Sequence, residues 1–433
     1  MKTVIRPETE MKDSGIEWIG DIPKDWNSAP IKVNFDIYAG ATPSSNNPIY
    51  WDGDIAWITP ADYKTEDKYV SCGKRHISQD GYDNCSAILV PANSIIFSKR
   101  APIGTVAISK NELCTNQGCL SCVSKDDSNI EFYYYAMSIA TEEFELKGSG
   151  TTFKEISLAN FKNFRFAVPP LSEQQAIADY LDETCFKIDE IIAEAKASID
   201  EYKELKQSVI DKAVLHGLCN GMMKDSGNDL IGKIPLSWEM RKLKYVADFN
   251  PGITTAYDAQ KEVGYVPMNC VKNGYMNPLS ARLSDMSTGL TGFQDGDIVI
   301  AKVTPCFENG NIAVAENLEQ GVAFGSSELF VIRTHSINRR FMLYYLQNSV
   351  FKNQCISTMT GTGGLKRVSG YFVNNAYITY PPENEQQVIV NYLDEAVKNM
   401  DSLISEKESL INDLEAYKKS LIYEVVTGKR RVV

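Results

Sequence analysis

The sequence predicts an α+β protein. It has two mixed α/β globular domains in a pseudo-two-fold arrangement, separated by two long helices that form an antiparallel coiled coil. Three observations carry this reading. The chain repeats itself at an offset of 212 residues. Each copy opens with short β-type runs between clusters of Gly, Asn and Pro. Each copy closes with a heptad-patterned segment about six heptads long.

The repeat is read at two places. Met11-Lys12-Asp13-Ser14-Gly15 through Ile19-Gly20-Asp21-Ile22-Pro23 to Trp26 returns as Met223-Lys224-Asp225-Ser226-Gly227, Ile231-Gly232-Lys233-Ile234-Pro235 and Trp238, with ten of sixteen positions identical. Pro169-Pro170-Leu171-Ser172-Glu173-Gln174-Gln175 through Tyr180-Leu181-Asp182-Glu183 returns as Pro381-Pro382-Glu383-Asn384-Glu385-Gln386-Gln387 through Tyr392-Leu393-Asp394-Glu395. Both pairs keep the same offset, so whole domains are duplicated. A solenoid repeat of roughly 20–50 residues is excluded.

Strands are expected at Ile55–Thr59, Ser94–Phe97 and Thr105–Ile108, and at Asp297–Ala301 and Leu329–Ile332. Helices are expected at Glu131–Glu145 and Asn338–Gln347. Each long helix then starts after Pro-Pro with a capping-box-like Ser172-x-x-Gln175 or Asn384-x-x-Gln387. Its seam is expected on Ile177, Leu181, Ile188, Ile191, Tyr202, Leu205 and Val209. In the second copy it is expected on Ile389, Leu393, Met400, Leu403, Leu410, Leu414, Tyr417 and Leu421. At 1.5 Å per residue each helix is a rod of roughly 65–70 Å, ended near Gly217 and Gly428. Two matched amphipathic rods in one chain bury their seams on each other. The resulting organisation is a tail (1–12), a first globular domain (13–170), a long helix (171–218), a linker (219–222), a second globular domain (223–382), and a long helix with a basic tail (383–433).

The net charge of −12 argues against a polycation that simply coats nucleic acid. The two long helices carry −6 each, and residues 223–380 are mildly basic at +2. The chain opens without the apolar core of a signal peptide, and no apolar run reaches the roughly 18–20 residues that span a bilayer. A cytoplasmic protein with reduced cysteines, and no membrane partner, is expected.

Several patterns could have meant chemistry. Cys114-x4-Cys119-x2-Cys122 has ferredoxin-like spacing, but Gln117–Val123 reads as a strand, which turns Cys119 and Cys122 to opposite faces. Asn47-Pro48-Ile49-Tyr50 departs at its third residue from the Asn-Pro-Pro-Tyr of adenine methyltransferases, and no cofactor loop accompanies it. Asp62 with Glu66-Asp67-Lys68 is too compact for a nuclease site, and no Gly-x4-Gly-Lys-Ser/Thr loop occurs. The three histidines stand isolated. These readings favour a non-catalytic chain binding no metal or cofactor of its own. The alternatives are a single-chain DNA modification enzyme and a coiled-coil scaffold without DNA contact.

A binding surface remains. Its candidates in the first domain are Thr59, Asp62, Lys99, Arg100, Asn116, Gln117 and Lys154. In the second they are Asn269, Lys272, Asn273, Lys302, Ser326, Ser327, Lys366 and Arg367. Lys99 and Lys302 follow equivalent strands. Gly148–Thr152 and Thr360–Gly364 are matched Gly/Thr loops, each followed by a lysine. Such loops admit phosphates, while Asn, Gln, Arg and Lys read base edges.

The two units opening with Asp-Ser-Gly…Ile-Gly-x-Ile-Pro…Trp, and each Pro-Pro-x-x-Glu-Gln-Gln…Tyr-Leu-Asp-Glu helix start, resemble the DNA-specificity subunit of type I restriction–modification systems. Trp57-Ile58-Thr59-Pro60-Ala61-Asp62 and Ser98-Lys99-Arg100-Ala101-Pro102-Ile103-Gly104 are similar to that family's target-recognition domains, although Tyr265-Val266-Pro267-Met268-Asn269 stands in place of the first motif in the second copy. The resemblance implies two target-recognition domains that read the halves of a bipartite site on double-stranded DNA. It implies a coiled coil that spaces them, and docked methyltransferase (modification) subunits and restriction endonuclease/translocase subunits. S-adenosylmethionine, ATP and Mg²⁺ would belong to those partners.

Overall fold

The structure is a computed structural model that describes all residues except 1, 126, 127, 151–153, 219, 220 and 363. The chain divides into two compact units. The first comprises residues 1–195 and 409–433, and the second residues 196–408. Each long helix therefore contributes one part to each unit.

In the first unit, Phe35–Ala39, Cys119–Ser124, Ile95–Ser98, Val106–Ser109 and Tyr69–Val70 form a five-stranded sheet in that order. Ile95–Ser98 is buried throughout, as an apolar run flanked by strands on both sides must be. One face of this sheet meets an aromatic core in which Phe144 touches Phe97, Phe161, Phe164 and Phe166. The helix expected at 131–145 is broken into Ile130–Ser138 and Thr141–Leu146. The break turns Phe144 into that core. On the other face Trp51–Ile58 lies between Cys114–Thr115 and Arg75–Ile77. Cys119 packs into one core cluster and Cys122 into another, so strand alternation separates the two thiols. Burial pushes the thiols of Cys114 and Cys119 up to about 12, which opposes the thiolate that a metal would need.

The second unit keeps the central part of this plan. Ala247–Phe249, Leu329–Thr334, Ile298–Ala301 and Ile312–Val314 form one sheet, and Leu279–Arg282, Glu262–Val266, Val322–Gly325 and Thr291–Gln294 form another. The strand registers superimpose: Ile95 pairs with Cys122 in the first unit, and Ile298 with Ile332 in the second.

The long helices run Leu171–His216 and Glu383–Val426. They pair antiparallel in each unit. Lys418 binds Asp189 at 2.7 Å in the first, and Lys206 binds Asp401 at 2.6 Å in the second. In the first helix Gln174, Ala178, Leu181, Cys185, Ile188, Ile192, Ala195 and Ile199 are buried, stepping by four and three.

This seam corrects the expected one at alternate positions. Ile177, Leu181, Ile188, Ile389, Leu393 and Leu421 are buried, and Tyr202, Val209, Met400 and Leu414 are half-buried. Ile191, Leu205, Leu403, Leu410 and Tyr417 are exposed. Ile192, Ile404 and Ile411, each one residue further on, are buried instead. Adjacent apolar pairs such as Leu403-Ile404 fit a three-then-four and a four-then-three step equally well, and only the facing helix selects one.

The repeated Glu-Gln-Gln motif also acts differently from a capping box. Gln174 Oε1 accepts from the Asn129 N–H at 3.0 Å, and Gln175 Oε1 from Asn129 Nδ2 at 2.7 Å. Asn129 in turn caps the helix Ile130–Ser138 through Phe132 N–H. Gln386, Gln387 and Asn338 repeat the clamp in the second unit. Glu173 accepts from Trp26 Nε1 at 2.8 Å and pairs with Arg6. The motif therefore locks each globular part onto its long helix. Among the described residues no helix is long and apolar enough to cross a membrane.

Candidate nucleic-acid interface

In the first unit the backbone gathers most of the candidate residues at one end of the central strands. The Lys99 N–H donates to the Gly118 carbonyl at 2.9 Å, and the Asn116 N–H to that of Ile58 at 2.8 Å. Thr59, Lys99, Asn116 and Gln117 thus sit on adjoining strand ends. Asn116 Oδ1 closes the turn by accepting from the Gly118 N–H. Gln117 accepts from the Thr42 hydroxyl. Lys154 is exposed, whereas Thr151 and Thr152 of the Gly/Thr loop lie outside the described residues.

Asp62 has a fold-internal duty. Its carboxylate accepts from the Thr59 N–H at 2.8 Å, the Thr59 hydroxyl at 2.7 Å and the Lys74 N–H at 3.0 Å, which fixes the turn after Trp51–Ile58. Lys99 and Arg100 share a partner absent from the sequence candidates. Glu155 accepts from Lys99 Nζ at 3.0 Å and from Arg100 Nε at 2.8 Å. The Arg100 guanidinium, with Lys99 beside it, holds the Glu155 carboxyl below its ordinary value.

The second unit assembles a counterpart. The Lys302 N–H donates to the Glu328 carbonyl at 3.0 Å, and the Val368 N–H to the Lys302 carbonyl at 2.8 Å. Ser326 Oγ accepts from the Glu328 N–H, and the Lys366 N–H donates to Thr304 Oγ1. Arg367 holds Glu328 through two bonds, at 2.9 and 3.0 Å. Lys302, Ser326, Lys366 and Arg367 are thus brought together, and Ser327 is exposed between Ser326 and Glu328. Gly363 of the second Gly/Thr loop lies outside the described residues.

Lys272 and Asn273 are placed elsewhere. They flank the far edge of Ile312–Val314, where the Ile312 N–H donates to the Lys272 carbonyl and Gln347 Nε2 to Asn273 Oδ1. There Asn273 borders a cavity of about 310 Å³, with Tyr275, Phe307, Arg340 and Tyr344 among its walls. Asn269 is exposed in the short turn Met268–Cys270.

The corresponding edge of the first unit is built differently. There the Ile108 N–H, at the register position of Val314 rather than of Ile312, donates to the Lys68 carbonyl. Lys68 continues to Asp182 on the long helix, where Tyr135 Oη also donates at 2.6 Å. In the second unit Arg340 supplies the cation for Asp394, at 2.5 Å, beside Tyr344. These carboxylates lie in the repeated Tyr-Leu-Asp-Glu, which was a usable sequence signal. Glu155 and Glu328 have no such signal, because they do not correspond at the repeat offset.

Comparison with known proteins follows the duplication. The family model for the type I restriction modification DNA specificity domain matches twice, at residues 23–201 and 235–413. The specificity subunit of the type I restriction enzyme MjaIX of Methanocaldococcus jannaschii is 28% identical over 451 residues, covering 99% of this chain and 98% of its own length. The EcoAI specificity subunit of Escherichia coli is 35% identical over 183 residues, or 41% of this chain and 31% of the relative. Two solved structures share the fold. A chain from a study of complex assembly and conformational transition in the type I R-M system has a TM-score of 0.73 at 16% identity, over 94% of this chain and 99% of that one. The HsdS subunit of Thermoanaerobacter tengcongensis has a TM-score of 0.53 at 16% identity, over 94% and 98%. The doubled family match, laid over two units that each pair a strand-end basic cluster with a long helix, means that this chain belongs to the type I restriction–modification DNA specificity family.

Proposed function

We propose that the chain is the non-catalytic DNA sequence-recognition subunit of a type I restriction–modification complex, and that its two globular parts read the halves of a bipartite, asymmetric site. One observation carries this: Lys99 with Arg100, and Lys302 with Arg367, stand beyond equivalent central strands on otherwise different loops. Equivalent scaffolds with different side chains suit two different half-sites. A good bidentate contact to a base edge contributes about 1–3 kcal/mol of discrimination. The chain's acidity leaves much of the phosphate affinity to partner subunits.

In this reading the helix pair is the spacer, and it is also the dock for methyltransferase and endonuclease/translocase subunits. The apolar side chains that the seam leaves exposed in the first unit, Leu410 and Tyr417 at heptad spacing, suit partner helices. S-adenosylmethionine, ATP and Mg²⁺ are then supplied by those partners. The complex would act on cytoplasmic DNA.

The test is methylation mapping in a host carrying the full system. It should return one split motif, and exchanging residues 27–168 for the matching segment of another family member should rewrite one half alone. Changes in both halves, or methyl transfer by the isolated chain, would overturn the reading. Inserting four residues in both long helices should alter the preferred gap and preserve both half-sites. An unchanged gap would remove the spacer role.

A further inference from the structure

In both units the arginine beyond the central strand already has a carboxylate. Glu155 takes Lys99 and Arg100 together, and Glu328 takes Arg367 through both carboxylate oxygens. The two glutamates come from different places. Glu155 follows the Gly/Thr loop, whereas Glu328 precedes Leu329–Thr334. Their cations also differ in origin, since Arg100 follows the central strand directly and Arg367 belongs to the Gly/Thr-loop segment. The same arrangement is therefore reached by two independent routes within one chain.

A surface built only for affinity would leave these cations free, because each one offered to a phosphate strengthens binding to any duplex. A carboxylate engaging two donors satisfies a guanidinium much as the O6 and N7 acceptors of a guanine edge do. A backbone phosphate of arbitrary register must displace the same bonds without the base contact.

We infer that Glu155 and Glu328 are specificity-setting residues: Glu155 occupies Arg100 together with Lys99, Glu328 occupies Arg367, and each yields its arginine only to a duplex whose base edge replaces the bonds it gave up. The inference rests on the DNA reading proposed above, and it adds a competitor and a positioning role that the reading does not require. In the free protein the carboxylate holds the arginine in one orientation. On a wrong sequence it takes the cation back.

The experiment uses the chain in complex with its methyltransferase subunits and two probes, a duplex pool of random sequence and the duplex that the wild-type complex enriches from it, across a salt series. Glu155→Gln keeps the shape of the side chain and removes the charge. It should bind the random pool about 10-fold more tightly and steepen the log affinity against log salt slope by about 1–2, as one or two cations become free to meet phosphates. Affinity for the enriched duplex should change far less, so selectivity falls. Reselection should relax one half of the site only. Glu328→Gln should do the same for the other half, which keeps the inference testable if one variant misfolds. Glu155→Asp should restore selectivity in part. Variants that fold, bind the random pool no better than wild type and keep its selectivity would overturn the inference. Arg100→Ala separates the two levels. If it loses one half-site while the glutamine variants stay unchanged, the DNA reading stands and the competitor role falls. If the wild type enriches no duplex, both fall.

Discussion

Replacing Arg333 by alanine should destabilise the second unit by about 3–5 kcal/mol, because it strands a buried carboxylate. The Asp297 side chain is 1% exposed. It receives Arg333 Nε at 2.7 Å, Arg333 Nη2 at 2.8 Å and the Gln294 N–H at 2.9 Å. Without the guanidinium only the backbone donor remains, and a desolvated charge is expensive to leave unpaired. The first unit shows what can replace the pair. The matched strand registers put Ser94 at the Asp297 position and Val123 at the Arg333 position. Asp297→Ser combined with Arg333→Val should therefore recover most of what Arg333→Ala loses, since exchanging a buried pair for neutral groups is often close to neutral. Hydrogen exchange of the amides of Ile298–Ala301, compared with those of Ile95–Ser98, reads the effect in each unit. Loss of less than about 1 kcal/mol in the single variant would mean that the pair is not what stabilises this sheet.

Gly428→Ala should cost roughly 2–5 kcal/mol, from a left-handed backbone and an overfilled site together. Gly428 ends the second long helix with φ +76°, and a Cβ there would lie 2.3 Å from Pro23 Cδ and 2.5 Å from its Cγ. A proline ring cannot rotate away. The next residues matter as well. The Lys429 carbonyl accepts from the Arg6 N–H, and Arg430–Val432 pairs antiparallel with Thr3–Ile5. Gly217 is the control. It has the same φ of +76°, but the nearest atoms to its Cβ are Trp238 Cζ2 at 3.2 Å and Pro235 Cγ at 3.4 Å. Gly217→Ala should lose only the backbone part, about 1–2 kcal/mol. Urea unfolding of the two variants side by side checks this. Equal losses would show that crowding by Pro23 is unimportant.

The architecture was largely legible in the sequence because it is encoded locally and twice. Strand runs such as Ile95–Phe97, the long amphipathic helices and the closing glycines each carry their own signal within a few residues. The phase of the helix seam was not legible, because Ile191-Ile192 and Leu410-Ile411 offer two apolar residues where one is needed. The Glu-Gln-Gln motif was found but misread. A capping box is a local device, whereas Gln174 and Gln175 reach 45 and 46 residues back to Asn129. Of the candidate binding residues, those at strand ends were gathered by the backbone, while Lys272 and Asn273 were drawn to a different edge. Glu155 and Glu328 were invisible, since an ion pair between residues 39 to 56 positions apart leaves no periodic trace.

The division of the chain also sets an order of assembly. Everything the second unit needs lies in one stretch, residues 196–408, whereas the first unit is incomplete until residues 409–433 have been made. Leu421, Ile422, Val425 and Val426 then fill the core beside Ile177, Leu181 and Cys185. On the ribosome the later-encoded unit is thus equipped to finish first, against the usual rule that domains complete in the order of their synthesis. Until residues 409–433 have emerged, the earlier-encoded unit waits with an apolar groove uncovered.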